Sequence, residues 1–224
     1  MSVAIDRLVR SRRKSIAIFV RPDGTVEVRA PLEIPEASIR AFVEKHADWV
    51  RKHQKRAQKY APPPPKRYEE GEKFLFLGRE YPLQIVPRQR TALTFDGQAF
   101  RLARSALPRA EEAFTRWYKA QAALVLSLRL SVLAKQHGFK YEKVRITSAR
   151  TRWGSCSAKG TLSFTWRLVM APPEVVDYVI VHELAHTKVA NHSKEFWALV
   201  ETIMPGHKAY RAWLRKNGKF LTLK

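Results

Sequence analysis

Val181-His182-Glu183-Leu184-Ala185-His186, followed by Asn191-His192-Ser193, is the stretch whose reading decides the rest of the chain. His182 and His186 stand four residues apart, a spacing that stacks two side chains on one face of a helix. Two imidazoles held in that way can fill two corners of one zinc ion. Glu183, beside the first His, then reaches a water at the metal rather than the metal itself, so the H-E-x-x-H pattern combines two ligands with a general base.

The flanks predict a buried helix. Pro172-Pro173 suit its start, because Pro fixes φ and has no N–H to lose there. Glu174 and Asp177 place acids near the positive end of the helix dipole. Val175, Val176, Val179, Ile180, Val181 and Leu184 surround the axis, as in a helix enclosed by a core. Imidazoles and a carboxyl in such a place are costly without a compensating partner, and a metal ion is a natural one. His192, six residues after His186, cannot share that face unless the chain turns; Asn191 or Ser193 can cap a second helix striped by Phe196, Leu199, Val200 and Ile203. Such a turn brings His192 back as a third ligand and leaves a fourth position open.

Several further motifs accompany this one. Thr151-Arg152-Trp153-Gly154-Ser155-Cys156-Ser157, Trp166-Arg167-Leu168, Pro172, the Tyr178-to-His186 segment, Asn191-His192-Ser193 and Phe196-Trp197 together resemble the YgjP-like (DUF45) metallopeptidase family, related to the SprT and WLM groups of zincins. The resemblance is most specific over about residues 140–215. It implies a zincin-like metallopeptidase domain, which together with the N-terminal β-hairpin, helix and small β region read from the residues below makes the fold class α+β. It also implies Zn2+ on His182, His186 and His192, with Glu183 as base. Val189 stands where the related metzincin pattern has Gly, which implies a different backbone path between the last two ligands.

The 224 residues allow one large domain or a small pair, and 45% hydrophobic residues suffice for a substantial core. One Cys excludes an internal disulfide and fits a cytoplasmic setting. Neither a transmembrane run nor a secretory signal is visible, so no membrane partner is expected. The net charge of +22 should attract anions. It is uneven: residues 129–170 hold nine Lys/Arg against one acid, Glu142, just ahead of the metal helix.

In chain order, residues 1–32 read as a hairpin, with Ile16, Ile18 and Val20 alternating, a turn at Pro22-Asp23-Gly24, and Val26, Val28 and Ala30 alternating back. Residues 35–59 read as one helix, and Ala61–Pro65 as a polyproline break. Residues 68–104 read as short strands, including a hairpin about Asp96-Gly97. A long helix is expected over 108–137, with Trp117, Leu124, Leu128 and Leu133 on the face that meets the metal helix. Strands are expected at 143–150 and 161–169, joined by a turn through Arg152–Ser157. These readings divide the chain into a β-rich region with one helix at 1–104 and a zincin-like catalytic domain at 105–224, or join the two in one compact unit.

By analogy with zincins, one of the two late strands is the edge that pairs with an extended peptide. Arg152, Trp153 and Tyr210 are candidates for the substrate cleft, and Trp153 is equally readable as a core residue. Three functions fit the sequence: a zinc metallopeptidase acting on peptide or protein; a metal-dependent hydrolase of anionic nucleotides, because UTP pyrophosphatase activity is associated with the family resembled; and a protein or protease that binds nucleic acid through its basic surface, as SprT relatives imply.

Overall fold

The computed structural model describes residues 3–21, 23–59 and 64–223. It divides into two compact units, Met1–Pro64 and Pro65–Lys224.

In the first unit, β1 (Arg7–Ser11), β2 (Ala17–Val20) and β3 (Val26–Pro31) form a sheet in the order β1-β3-β2. The expected hairpin is the antiparallel β2/β3 pair, with Ile18 opposite Val28; Pro22 of its turn lies outside the described residues. The additional strand β1 lies parallel to β3. Val26, Val28 and Ala30 point to one face, where they meet Ile39, Val43 and Val50 of two helices, α1 (Glu36–Lys45) and α2 (Ala47–Lys59). The single helix expected here is interrupted at His46. Its amide bonds Val43 O, three residues back, and its Nδ1 donates to Phe42 O at 2.8 Å, the carbonyl an unbroken helix would use for that amide.

The second unit begins with β4 (Lys73–Phe76), β5 (Arg79–Val86), β6 (Leu93–Phe95) and β7 (Phe100–Ala103), ordered β4-β5-β7-β6. The β4/β5 turn is docked on the later chain: Leu77 N donates to Val169 O at 2.8 Å and Gly78 N to Met170 O at 3.2 Å. A Cβ on Gly78, at φ +78, would stand 2.8 Å from Pro172 Cα. The β region thus rests directly on the start of the metal helix, and Phe74, Phe100 and Phe114 share its core. The division expected between residues 104 and 105 does not follow this packing, because the units part at Pro64/Pro65 instead. That boundary adjoins the polyproline stretch, of which 61–63 lie outside the described residues.

The long helix α3 (Ala110–Gln136) buries a row at every fourth residue: Ala110, Phe114, Tyr118, Ala122, Leu126, Leu130 and Ala134. Leu124 and Leu128, expected on the inner face, are 66% and 68% exposed. A four-residue step overshoots one turn by about 40°, so the buried row winds around the helix. It meets the aromatic cluster first and the metal helix later, and the Leu124 row is carried outward. Arg129 ties the second half of α3 to Asp177, with Nη1–Oδ2 at 2.6 Å.

Three strands then form a second sheet of this unit, β8 (Lys143–Thr147), β9 (Gly154–Cys156) and β10 (Thr161–Thr165), in the order β8-β10-β9. The expected strands are β8 and β10, but the segment read as a turn contains a strand of its own, antiparallel to β10 and lying at the sheet edge. The chain ends with three helices, α4 (Pro173–Ala185), α5 (Lys194–Ile203) and α6 (His207–Asn217). Pro173 occupies the first turn of α4, and nine of its side chains are buried, Glu183 among them.

Candidate metal centre

Helix α4 ends at Ala185, so His182 lies in its last turn and His186 caps it. The chain then reverses. Asn191 Oδ1 accepts from Ser193 N at 3.3 Å, and Ser193 Oγ accepts from Phe196 N as the N-cap of α5. Of the two caps the sequence offered, Ser193 is the one used. The reversal brings His192 against the first two rings, with centroids 5.0 Å from His182 and 4.7 Å from His186.

One ring nitrogen from each of His182, His186 and His192 lies within 4.8 Å of the others. His182 Nε2 and His192 Nε2 are 3.0 Å apart. Donors around one tetrahedral zinc, each about 2.0–2.1 Å from it, stand roughly 3.3 Å from one another, so this spacing needs only a small spreading. His186 Nδ1 donates to Val189 O at 3.1 Å, which leaves its Nε2 as a lone-pair donor toward the cluster. Val189, in the place of the metzincin Gly, supplies that carbonyl. The donor set therefore fits a divalent metal.

The supporting shell is aromatic. Phe196 lies beneath all three rings, with centroids 4.5–4.9 Å away. Trp197 stacks on His192 and on buried His207, which in turn stacks on Tyr178. His207 Nδ1 is 2.6 Å from Glu201 Oε2, close but not aligned as a hydrogen bond. His182 Nδ1 is buried without a hydrogen-bond partner among the described residues, so packing rather than a second polar group orients that ring. Burial, and then the neighbouring charges of His186 and His192, push the His182 imidazole down to about 3. A ring that stays unprotonated keeps its lone pair for a metal.

Glu183 projects from α4 toward β9. It is 6% exposed, and burial pushes its carboxyl up to about 7. A Cβ on Gly154 would stand 2.6 Å from Glu183 Oε1. Only the absence of a side chain there lets the edge strand lie against the carboxylate.

A cavity of about 310 Å³ opens beside this pair, with His182, Glu183 and Gly154 among its lining residues. Trp153, Tyr178, Val179 and Leu214 form its walls, and Arg211 and Arg215 supply charge. Of the expected cleft residues, Trp153 lines this space, its ring also packed against Gly218. Arg152 is exposed and Tyr210 lies against Tyr178 with centroids 6.5 Å apart; neither lines the cavity. Sequence reasoning passed over Arg211, whose only local signal is its place one turn before Arg215 on an amphipathic helix.

The model of the YgjP-like metallopeptidase domain matches residues 14–217. The chain belongs to the YgjP-like metallopeptidase family. As a member it is a metallopeptidase-type hydrolase, with a peptide or protein as substrate. Two solved structures are similar to part of this YgjP-like chain. The metallopeptidase zymogen abylysin of Pyrococcus abyssi is 26% identical over 43% of this chain and 99% of its own, with a TM-score of 0.38. The metallopeptidase zymogen jannalysin of Methanocaldococcus jannaschii is 19% identical over 42% of this chain and 95% of its own, with a TM-score of 0.37. No curated protein matches the sequence. Among the described residues, no helix is long and apolar enough to cross a membrane.

Proposed function

We propose that the protein is a zinc endopeptidase in which His182, His186 and His192 hold the metal and Glu183 is the general base. The observation that carries this reading is the convergence of three imidazole donors within 4.8 Å, next in the chain to a buried carboxyl. A zinc ion bound there would polarise the scissile carbonyl and bring the pKa of a coordinated water to about 7. Glu183 accepts the proton of the attacking water and returns it to the leaving amine nitrogen. A carboxyl raised toward neutrality by burial suits both transfers.

An extended peptide is positioned by the free edge of β9, whose other edge is occupied by β10. The backbone of Gly154–Cys156 pairs with the substrate, and the missing side chain at Gly154 lets the scissile bond approach Glu183. This assigns the peptide-binding role to β9 rather than to either strand expected from the sequence. Cys156, also on β9, is a free thiol whose pKa is raised, first by burial and then by Glu183, which is unsuited to nucleophilic work. An unpaired thiol accords with a reducing, cytoplasmic setting.

Elemental analysis of the purified protein and cleavage of a casein-type substrate test the reading. Glu183→Gln should retain about one zinc per chain and lose about 10²- to 10⁴-fold in kcat, the contribution of a positioned acid–base group. A zinc-loaded Gln variant with full activity would remove Glu183 from the mechanism.

A further inference from the structure

The cavity beside Glu183 carries more charge than the reaction chemistry requires. Arg211 and Arg215 are spaced i,i+4 on α6, so both guanidinium groups reach the same space one turn apart. Among the described residues neither is paired with a carboxylate, and Glu183 is the single acid lining the cavity. The Arg211 guanidinium lies over the Trp197 ring at 4.9 Å. That contact holds the cation beside the metal centre without neutralising it. The remaining walls, Trp153, Tyr178, Val179 and Leu214, are apolar or aromatic and suit the methylene stem of a side chain.

Size restricts the occupant. The volume of about 310 Å³ is at the low end of the roughly 300–1,000 Å³ of ligand pockets and accommodates one side chain with some water. Two planar cations among the lining residues match a carboxylate, which an arginine fork binds through two parallel hydrogen bonds. The excess of +22 over the whole chain would draw acidic segments toward the site and repel basic ones.

We propose that this cavity is a specificity pocket in which Arg211 and Arg215 select peptides with an acidic side chain close to the scissile bond. The proposal rests on the metallopeptidase reading above and names its substrate class. Aspartate or glutamate enters with its stem along Trp153 and Leu214 and its carboxylate between the guanidinium groups. An uncharged amide of the same shape fits equally well but forfeits the charge-assisted bonds. The resulting preference is about 10- to 100-fold in kcat/KM for Glu over Gln.

The test uses the zinc-loaded full chain and paired peptides that differ only by Glu or Gln at each of the three positions on either side of the cleaved bond. One position should show the preference, and it should shrink as salt is raised. Arg211→Gln with Arg215→Gln should bring the ratio near one, and Arg215→Glu should invert it so that a Lys peptide outruns its Glu counterpart. Zinc content checks that each variant keeps its site. Cleavage with equal rates for Glu and Gln at every position would overturn the pocket while leaving the peptidase intact. If no peptide is cleaved, the peptidase reading fails, and the pocket is decided by calorimetric binding of the same pairs to zinc-loaded Glu183→Gln protein. Tighter binding of the acidic member, lost on replacing the two arginines, supports it; equal binding overturns it.

Discussion

Helices α3 and α4 lie against each other, and both are rich in apolar residues, yet they are used in opposite ways. Helix α4 is enclosed: Val175, Val176, Ile180, Val181 and Leu184 are at most 2% exposed, and a carboxyl is buried with them. Helix α3 is twice as long, buries a single winding row, and leaves Leu124, Leu128 and Val132 at 55–68% exposure. Apolar composition therefore did not decide which helix became central. What decided it was the number of elements brought around each: α3, α5, α6 and β9 all pack on α4. Enclosure raises the Glu183 carboxyl toward neutrality and depresses the His182 imidazole, so the energetic burden of the site falls on the helix best covered against water.

The sharpest way to break this contrast is to remove a ligand from α4. His182→Ala should abolish hydrolysis and zinc retention together. Binding at 100 times Kd stabilises the native state by about 2.7 kcal/mol, so a chelator should lower the melting temperature of the parent protein but leave that of the variant unmoved. Truncating a buried side chain of α4 comes next. Ile180→Ala, at a position with no exposure, should cost about 2–5 kcal/mol in denaturant unfolding. Gly154→Ala tests whether β9 and α4 must touch: the new methyl displaces Glu183, so kcat should fall about 100-fold while zinc is kept, since a misplacement of about 1 Å has that effect. The smallest effect belongs to α3. Leu128→Ala should change stability by no more than about 0.5 kcal/mol, as for other exposed positions. A loss comparable to that of Ile180→Ala would mean that the outer row of α3 is covered in solution and would erase the distinction.

Much of the centre was legible in the residues. The His182/His186 spacing, the acid between them, the Pro172-Pro173 start and the Ser193 cap all act within a turn or two of chain, and the structure brings His192 to the cluster as the third ring. The cleft was less so. Arg152 and Tyr210 stand near the motifs in the chain, whereas the cavity takes Arg211 and Arg215 from a helix whose own pattern says only that it is amphipathic. The strand β9 was hidden for a related reason, because three residues including Gly154 carry almost no strand signal until β10 is there to pair with them.

By itself the sequence determined the elements whose causes are local: helix starts and caps, the turn at Asp96-Gly97, the metal-ligand spacing and the surplus of positive charge. Tertiary structure alone decided which face of α3 met the core, that the 73–103 strands sit on the start of α4, and which cations reach the cavity. Capping and spacing depend on atoms a few residues apart, and a chain carries those with it wherever it folds. Burial and edge exposure depend on what arrives from far along the chain, and no short window of residues contains that information.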